Sequence, residues 1–189
     1  MQLRKRTCLA ALALALGLCL CAQAASAATL SLQNLVVDNQ SGMLAARFGI
    51  SVESLAEVSD ALTSGMTLSL TCKTRLTRRG GVFSNTQVAA ADMDSRLKYD
   101  SLTKEFSLTL PGREAPLKNT RLDELLRVGW GTLSLEMGAW KTLEHGQEYT
   151  LTLDIRLHQV EIPNWFRRTL FFWSWDLTPQ ASYQLHFKP

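Results

Sequence analysis

Arg75, Arg78 and Arg79, followed at once by Gly80 and Gly81, place three guanidinium groups at one point of the chain. Arginine clusters grip carboxylates, phosphates or anionic lipid heads, and a tip between two strands would bring the three groups together beside flexible glycines. A solvated hairpin tip is the plainer reading, since charge is common on loops. The second concentration is aromatic and runs from Pro163 to Trp175, with Trp165, Phe166, Phe171, Phe172, Trp173 and Trp175 around the basic pair Arg167 and Arg168. So apolar a segment cannot simply be solvated. It either lies on a membrane with its arginines at the lipid heads, offers a surface to a partner, or folds back as a lid. We favour the lid, because large aromatic side chains dominate cores far more often than they sit exposed.

The remaining chemically capable residues have bland readings. Asp92 and Asp94 alternate in a strand-like stretch and project to one side, as a carboxylate dyad or a calcium site would use. The loop spacing of a calcium site is missing, and solvated charges at a strand edge, which blunt it against pairing, fit better. His158 and His186 fall on the polar faces of two late strands and would approach each other if those strands pair. The nearby acids do not complete a four-ligand set, so solvated sheet histidines are expected. Cys72 alternates with Leu68, Leu70 and Leu76 and points inward, where a thiol packs rather than reacts. G-x-S-x-G, H-E-x-x-H, C-x-x-C, Walker and dinucleotide glycine motifs are missing beyond the N-terminal run. The chain therefore reads as a non-enzyme, with no catalytic, metal or cofactor-binding residue assigned.

The elements that must position these residues follow a period of two. Leu44, Ala46, Phe48, Ile50 and Val52 alternate with polar residues, as do Met66, Leu68, Leu70, Cys72 and Leu76 against Thr67, Ser69, Thr71, Lys73 and Arg75. One face packs and the other is wet. The pattern recurs through Phe106 to Leu110, Leu133 to Met137, Tyr149 to Leu157 and Tyr183 to Phe187, and with Thr29 to Val37 and Val88 to Tyr99 it predicts eight strands. Turn-rich Asp38 to Gly42 and Asp100 to Thr103 predict hairpins. Ser54-Leu55-Ala56-Glu57 reads as a capping box opening a short helix that Gly65 stops. A second helix is expected from about Thr120 to Val128, ended by Gly129. The fold class is mainly β, an antiparallel β-sandwich with two or three short helices.

The chain has 189 residues, 46% of them hydrophobic and 20% charged, with a net charge of +3 that Arg4, Lys5 and Arg6 alone supply. The rest is electrically balanced, which argues against nucleic acid as a partner. Those basic residues, the apolar run from Cys8 to Ala22 and the small residues Ala25, Ser26 and Ala27 read as a signal peptide over residues 1–27, cleaved after Ala27. The apolar run falls short of the about 20 residues that span hydrocarbon, so an uncleaved anchor is the weaker reading. Residues 28–189 then form a single domain, exported or periplasmic. Cys8, Cys19 and Cys21 leave with the leader, so Cys72 remains without a disulfide partner.

The order of features is similar to that of the bacterial exported family DUF4390, a domain of unknown function. The resemblance is carried by the leader, the arginine hairpin, the turn from Tyr99 to Phe106, the helix around Leu122 to Leu126, and the closing pattern. That pattern runs from Leu151-Thr152-Leu153-Asp154 through Ile162-Pro163 to Trp175-Asp176-Leu177. It covers nearly all of the chain after the leader and departs at the arginine hairpin, where relatives carry more aromatic residues. The resemblance brings no activity, cofactor or catalytic residue. It implies an exported, single-domain envelope protein, in some relatives encoded beside a membrane sensor kinase, so an envelope protein, such a kinase included, is the partner to expect.

Three functions are consistent with these residues. The first is a non-enzymatic binding or accessory module of the envelope, docking a partner through a sheet edge, the Arg75 to Gly81 tip or the aromatic segment. The second is a peripheral membrane or hydrophobic-ligand protein built on that segment. The last is a hydrolase whose residues assemble across the fold and leave no linear trace.

Overall fold

The structure is a computed structural model that describes residues 29–80, 85–161 and 180–189. The leader and the aromatic segment, with Trp165, Phe166, Arg167, Arg168, Trp173 and Trp175, lie outside the described residues.

Among the described residues, alternation of apolar and polar residues becomes nine antiparallel strands in two sheets. Strands β1 (Leu30–Gln40), β2 (Met43–Val52) and β7 (Leu133–Ala139) form a three-stranded sheet in the order β1-β2-β7. The larger sheet has the order β6-β5-β4-β3-β8-β9, from β3 (Thr67–Arg79), β4 (Asn85–Asp100), β5 (Glu105–Thr109), β6 (Leu117–Asn119), β8 (Tyr149–Glu161) and β9 (Ala181–Phe187). β6, the strand that the sequence did not suggest, is too short to display a period of two.

Both hairpins form where the turn residues stand. Ser41 and Gly42 adopt φ of 52° and 88°, the doubly left-handed turn whose twist matches that of the flanking strands. Asn39 Oδ1 accepts the Gly42 N–H at 2.8 Å. In the second hairpin Asp100 Oδ1 accepts the N–H of Leu102 at 2.8 Å and of Thr103 at 3.3 Å, and these bonds hold its carboxyl below the usual range.

The inner faces meet in one apolar cluster. Phe48, Ile50, Leu133 and Leu135 of the small sheet pack with Leu68, Leu70, Cys72, Leu153 and Ile155 of the large one. A second cluster, around Leu44, Leu76, Met137, Tyr149 and Leu151, extends this core. Helix α1 (Leu55–Thr63) contributes Val58 and Leu62, and helix α2 (Leu122–Trp130) contributes Leu125, Leu126 and Trp130.

Two local expectations are corrected. Ser54 makes no side-chain capping bond, so the Ser54 to Glu57 spacing does not act as a capping box; Glu57 Oε2 is instead buried without a hydrogen-bond partner among the described residues. Gly129 does not end α2, which runs on through the fully buried Trp130 to a C-cap at Gly131. Gly129 serves packing: a Cβ there would lie 2.2 Å from Leu108 Cδ2. Trp130 Nε1 donates to Ser95 Oγ at 2.9 Å, which satisfies the indole inside the core.

Candidate functional site

Three adjacent strands fix the geometry of the large sheet's outer face. In β3 the even-numbered residues Leu68, Leu70, Cys72, Thr74 and Leu76 are buried, which turns Thr71, Lys73 and Arg75 outward. Register then sets Asp94, Thr71 and Arg156 in one row across β4, β3 and β8, and Asp92, Lys73 and Asp154 in the next. Neighbouring strands lie about 4.8 Å apart, so each row is a fixed sequence of charges on a rigid support. Between these side chains is a cavity of about 540 Å³, bounded by Thr71, Lys73, Arg75, Asp92, Asp94, Asp154, Arg156, His158 and Gln180. Arg75 reaches Asp154 at 3.2 Å, and Thr71 Oγ1 donates to Asp94 Oδ1. Asp154 is the more enclosed partner, its side chain 17% exposed against 53% for Arg75.

The arginine tip does not gather its three guanidinium groups. Arg75 and Arg79 share the outer face, whereas Arg78 is on the same side as Leu76 and Tyr149 and turns to the opposite one. Each has an acidic partner: Arg75 has Asp154, Arg78 has Glu144, and Arg79 has Glu148 at 3.2 Å. Strand alternation separates consecutive side chains, so a charge run in a strand cannot converge as it would on a loop. Of the three, Arg75 alone borders the polar cavity. Arg79 lines a second hollow of about 590 Å³ at the end of the sheet, with Glu148, Thr150, His186 and Lys188.

The other candidates are separated in the same way. β8 and β9 do pair, as the two-histidine expectation required, but His186 stands opposite Thr150, and its Nδ1 is 2.9 Å from that hydroxyl oxygen. His158 lies eight positions further along β8, opposite Ser69 of β3. The two histidines therefore do not meet. Among the described residues no group of three His, Cys, Asp or Glu is placed to hold a metal. Asp92 and Asp94 do project to one side and are exposed, and β5 pairs β4 only over Arg96–Asp100, so both stand on a stretch of β4 that among the described residues has β3 on one side and no strand on the other, as edge charges do. Cys72 is fully buried, and that burial, with a smaller contribution from Asp94, pushes its thiol up to about 12. It stays protonated and unreactive at neutral pH.

Lys73, Asp154 and Arg156 were not picked out as a site by sequence. Their signal was a polar residue at every second position of three strands. What brings them together is the pairing of β3 with β8, across a separation of 79 residues from Arg75 to Asp154. Among the described residues no helix is long and apolar enough to cross a membrane.

Comparison with known proteins gives a family without a function. No curated protein and no solved structure matches the chain significantly. The family described as a domain of unknown function, DUF4390, matches residues 27–186, and the chain belongs to that family.

Proposed function

We propose that this chain is a non-enzymatic binding module of the cell envelope that docks an envelope protein on the outer face of its six-stranded sheet. The observation that carries the reading is the polar cavity over Thr71, where three acids and three bases balance and are held by three adjacent strands. Such an arrangement suits recognition, because complementary charges set orientation and reject wrong partners more than they add affinity. The Cys72 thiol, raised to about 12, does not supply a nucleophile for a reactive alternative. The envelope setting rests on the leader-like run from Arg4 to Ala27.

Site-specific photo-crosslinking tests this directly. Ser182 is exposed on β9 and stands opposite Asp154, beside the cavity. A photoreactive residue at Ser182, irradiated in intact envelopes, should give one discrete protein adduct. The same residue at Leu102, 92% exposed on a distant turn, should give background only. Equal adducts from both positions would refute the docking face.

A further inference from the structure

β9 ends the large sheet, and its free edge is unlike the others. The strands that end the two sheets are β1, β7, β6 and β9. Folded proteins blunt such edges, because unpaired N–H and C=O groups invite another strand. β1 breaks register between Gln33 and Val36, with Asn34 at φ 51°. β7 carries the exposed Glu136 and has Gly138 at φ 134°, β6 has three residues, and the unpaired stretch of β4 carries Asp92 and Asp94. β9 has none of these devices. Its seven residues, Ala181–Phe187, include no Lys, Arg, Asp, Glu, Gly or Pro, and they keep one unbroken register with β8.

That register fixes which backbone groups are spare. Arg79 N–H donates to the Glu148 carbonyl at 3.0 Å, and the Thr150 carbonyl also faces β3, where it accepts the Thr77 hydroxyl at 3.3 Å. In an antiparallel ladder one residue turns both its N–H and its C=O to one neighbour, and the next residue turns both to the other. Even-numbered residues of β8 are therefore spent on β3 and odd-numbered ones on β9, where they engage Ala181, Tyr183, Leu185 and Phe187. Ser182, Gln184 and His186 aim their backbone groups away from β8, and among the described residues no strand meets them. The inner side of the same edge is unfinished as well: Tyr183, Leu185 and Phe187 are half-buried, as are Leu32 and Leu35 of the nearby β1.

We propose that β9 pairs antiparallel with β9 of a second copy of this chain, joining two large sheets edge to edge about a two-fold axis at Gln184. This register engages all three spare residues, with Ser182 opposite His186 and Gln184 opposite its own counterpart. On the inner side the bulky Phe187 then meets the small Ala181, and Tyr183 meets Leu185, while no like charges are opposed. A two-fold contact sets one patch against itself, and an uncharged strand with a bulky end and a small end satisfies that condition without a clash. The spare backbone groups would accept any strand; the match of side chains selects this one. The inference goes beyond the docking-face reading, since pairing in the plane of the sheet leaves the cavity over Thr71 open to an envelope partner.

Disulfide trapping in intact envelopes reads the contact at residue level. Gln184→Cys should link two copies on mild oxidation, because the two-fold sets the paired Cα atoms about 5.5 Å apart. Leu102→Cys, 92% exposed on a distant turn, should give background only. Sedimentation equilibrium of the purified chain should give a dimer. Gln184→Lys and Gln184→Glu each set like charges face to face at an exposed position and should raise the dimer Kd about tenfold, and an equimolar mixture of the two should restore it. A chain that stays monomeric, or a dimer that neither charge weakens, overturns the pairing. The photoreactive residue at Ser182 then yields, besides the envelope adduct, a product of two linked copies that its mass identifies. An envelope adduct from a monomeric chain overturns the pairing and leaves the docking face standing, and a dimer without an envelope adduct does the reverse.

Discussion

Cys72 gives the sharpest test of the core, because its surroundings fix both the size and the sign of the effect. The side chain is 0% exposed and stands in register with Met93 on one side and Ile155 on the other. Replacement by Ala leaves a methyl-sized void, worth about 1 kcal/mol, while Ser brings a hydroxyl with no apolar-compatible partner and should cost on the order of 1 to 3 kcal/mol. The thiol also makes stability depend on pH. Its folded value is raised from 9.0 to about 12 by burial, so at neutral pH both states hold the proton and there is no penalty. Between those values the unfolded chain releases its proton and the folded chain does not, so stability falls by up to ~1.4 kcal/mol per pH unit. At about pH 10 the loss is ~1.4 kcal/mol, enough to cancel the advantage of Cys over Ala. Urea unfolding of the two proteins from pH 7 upward should therefore give stability curves that converge and cross near pH 10. Other groups titrate alike in both and cancel. A chain beginning at Ala28 removes Cys8, Cys19 and Cys21 from the comparison. Curves that stay parallel through this range, or rapid labelling of the native thiol by a bulky reagent at neutral pH, would refute the buried assignment.

Ser95→Ala should cost about 1 to 3 kcal/mol in denaturant unfolding, because it strips the fully buried Trp130 Nε1 of the acceptor it has at 2.9 Å; Trp130→Phe in that background should recover part of the loss. Gly49→Ala should lower the unfolding midpoint through a cost of roughly 1 to 3 kcal/mol, since the new Cβ would stand 2.5 Å from the Gly131 carbonyl oxygen, a backbone atom that cannot swing away. If the leader directs export, protein recovered from a periplasmic fraction should begin at Ala28, and a full-length mass there would refute cleavage after Ala27.

Much of this molecule follows from periodicity alone. An alternation of two is a property of neighbouring residues, so Leu68 to Leu76, Leu44 to Val52 and Leu151 to Leu157 announce strands and their inward faces without reference to anything distant. Turn chemistry is equally local, and the Ser41–Gly42 and Asp100 turns stand where their residues put them. Capping was less legible: Ser54 and Glu57 have the right spacing, but a hydrogen bond also needs backbone angles that the packing of α1 did not supply. The outer-face cavity was not legible at all. Asp92, Thr71 and Arg156 are each an ordinary polar residue on a wet strand face, and which strands adjoin is set by the burial of all the inner faces together. The same holds for the tip arginines, whose run in sequence suggested convergence until strand alternation sent Arg78 to one face and Arg75 and Arg79 to the other. Sequence by itself therefore determined which residues are strand, turn and core, because those depend on near neighbours. Tertiary structure decided which charges meet, because the pairing of β3 with β8 joins residues far apart in the chain through a core that no local pattern describes.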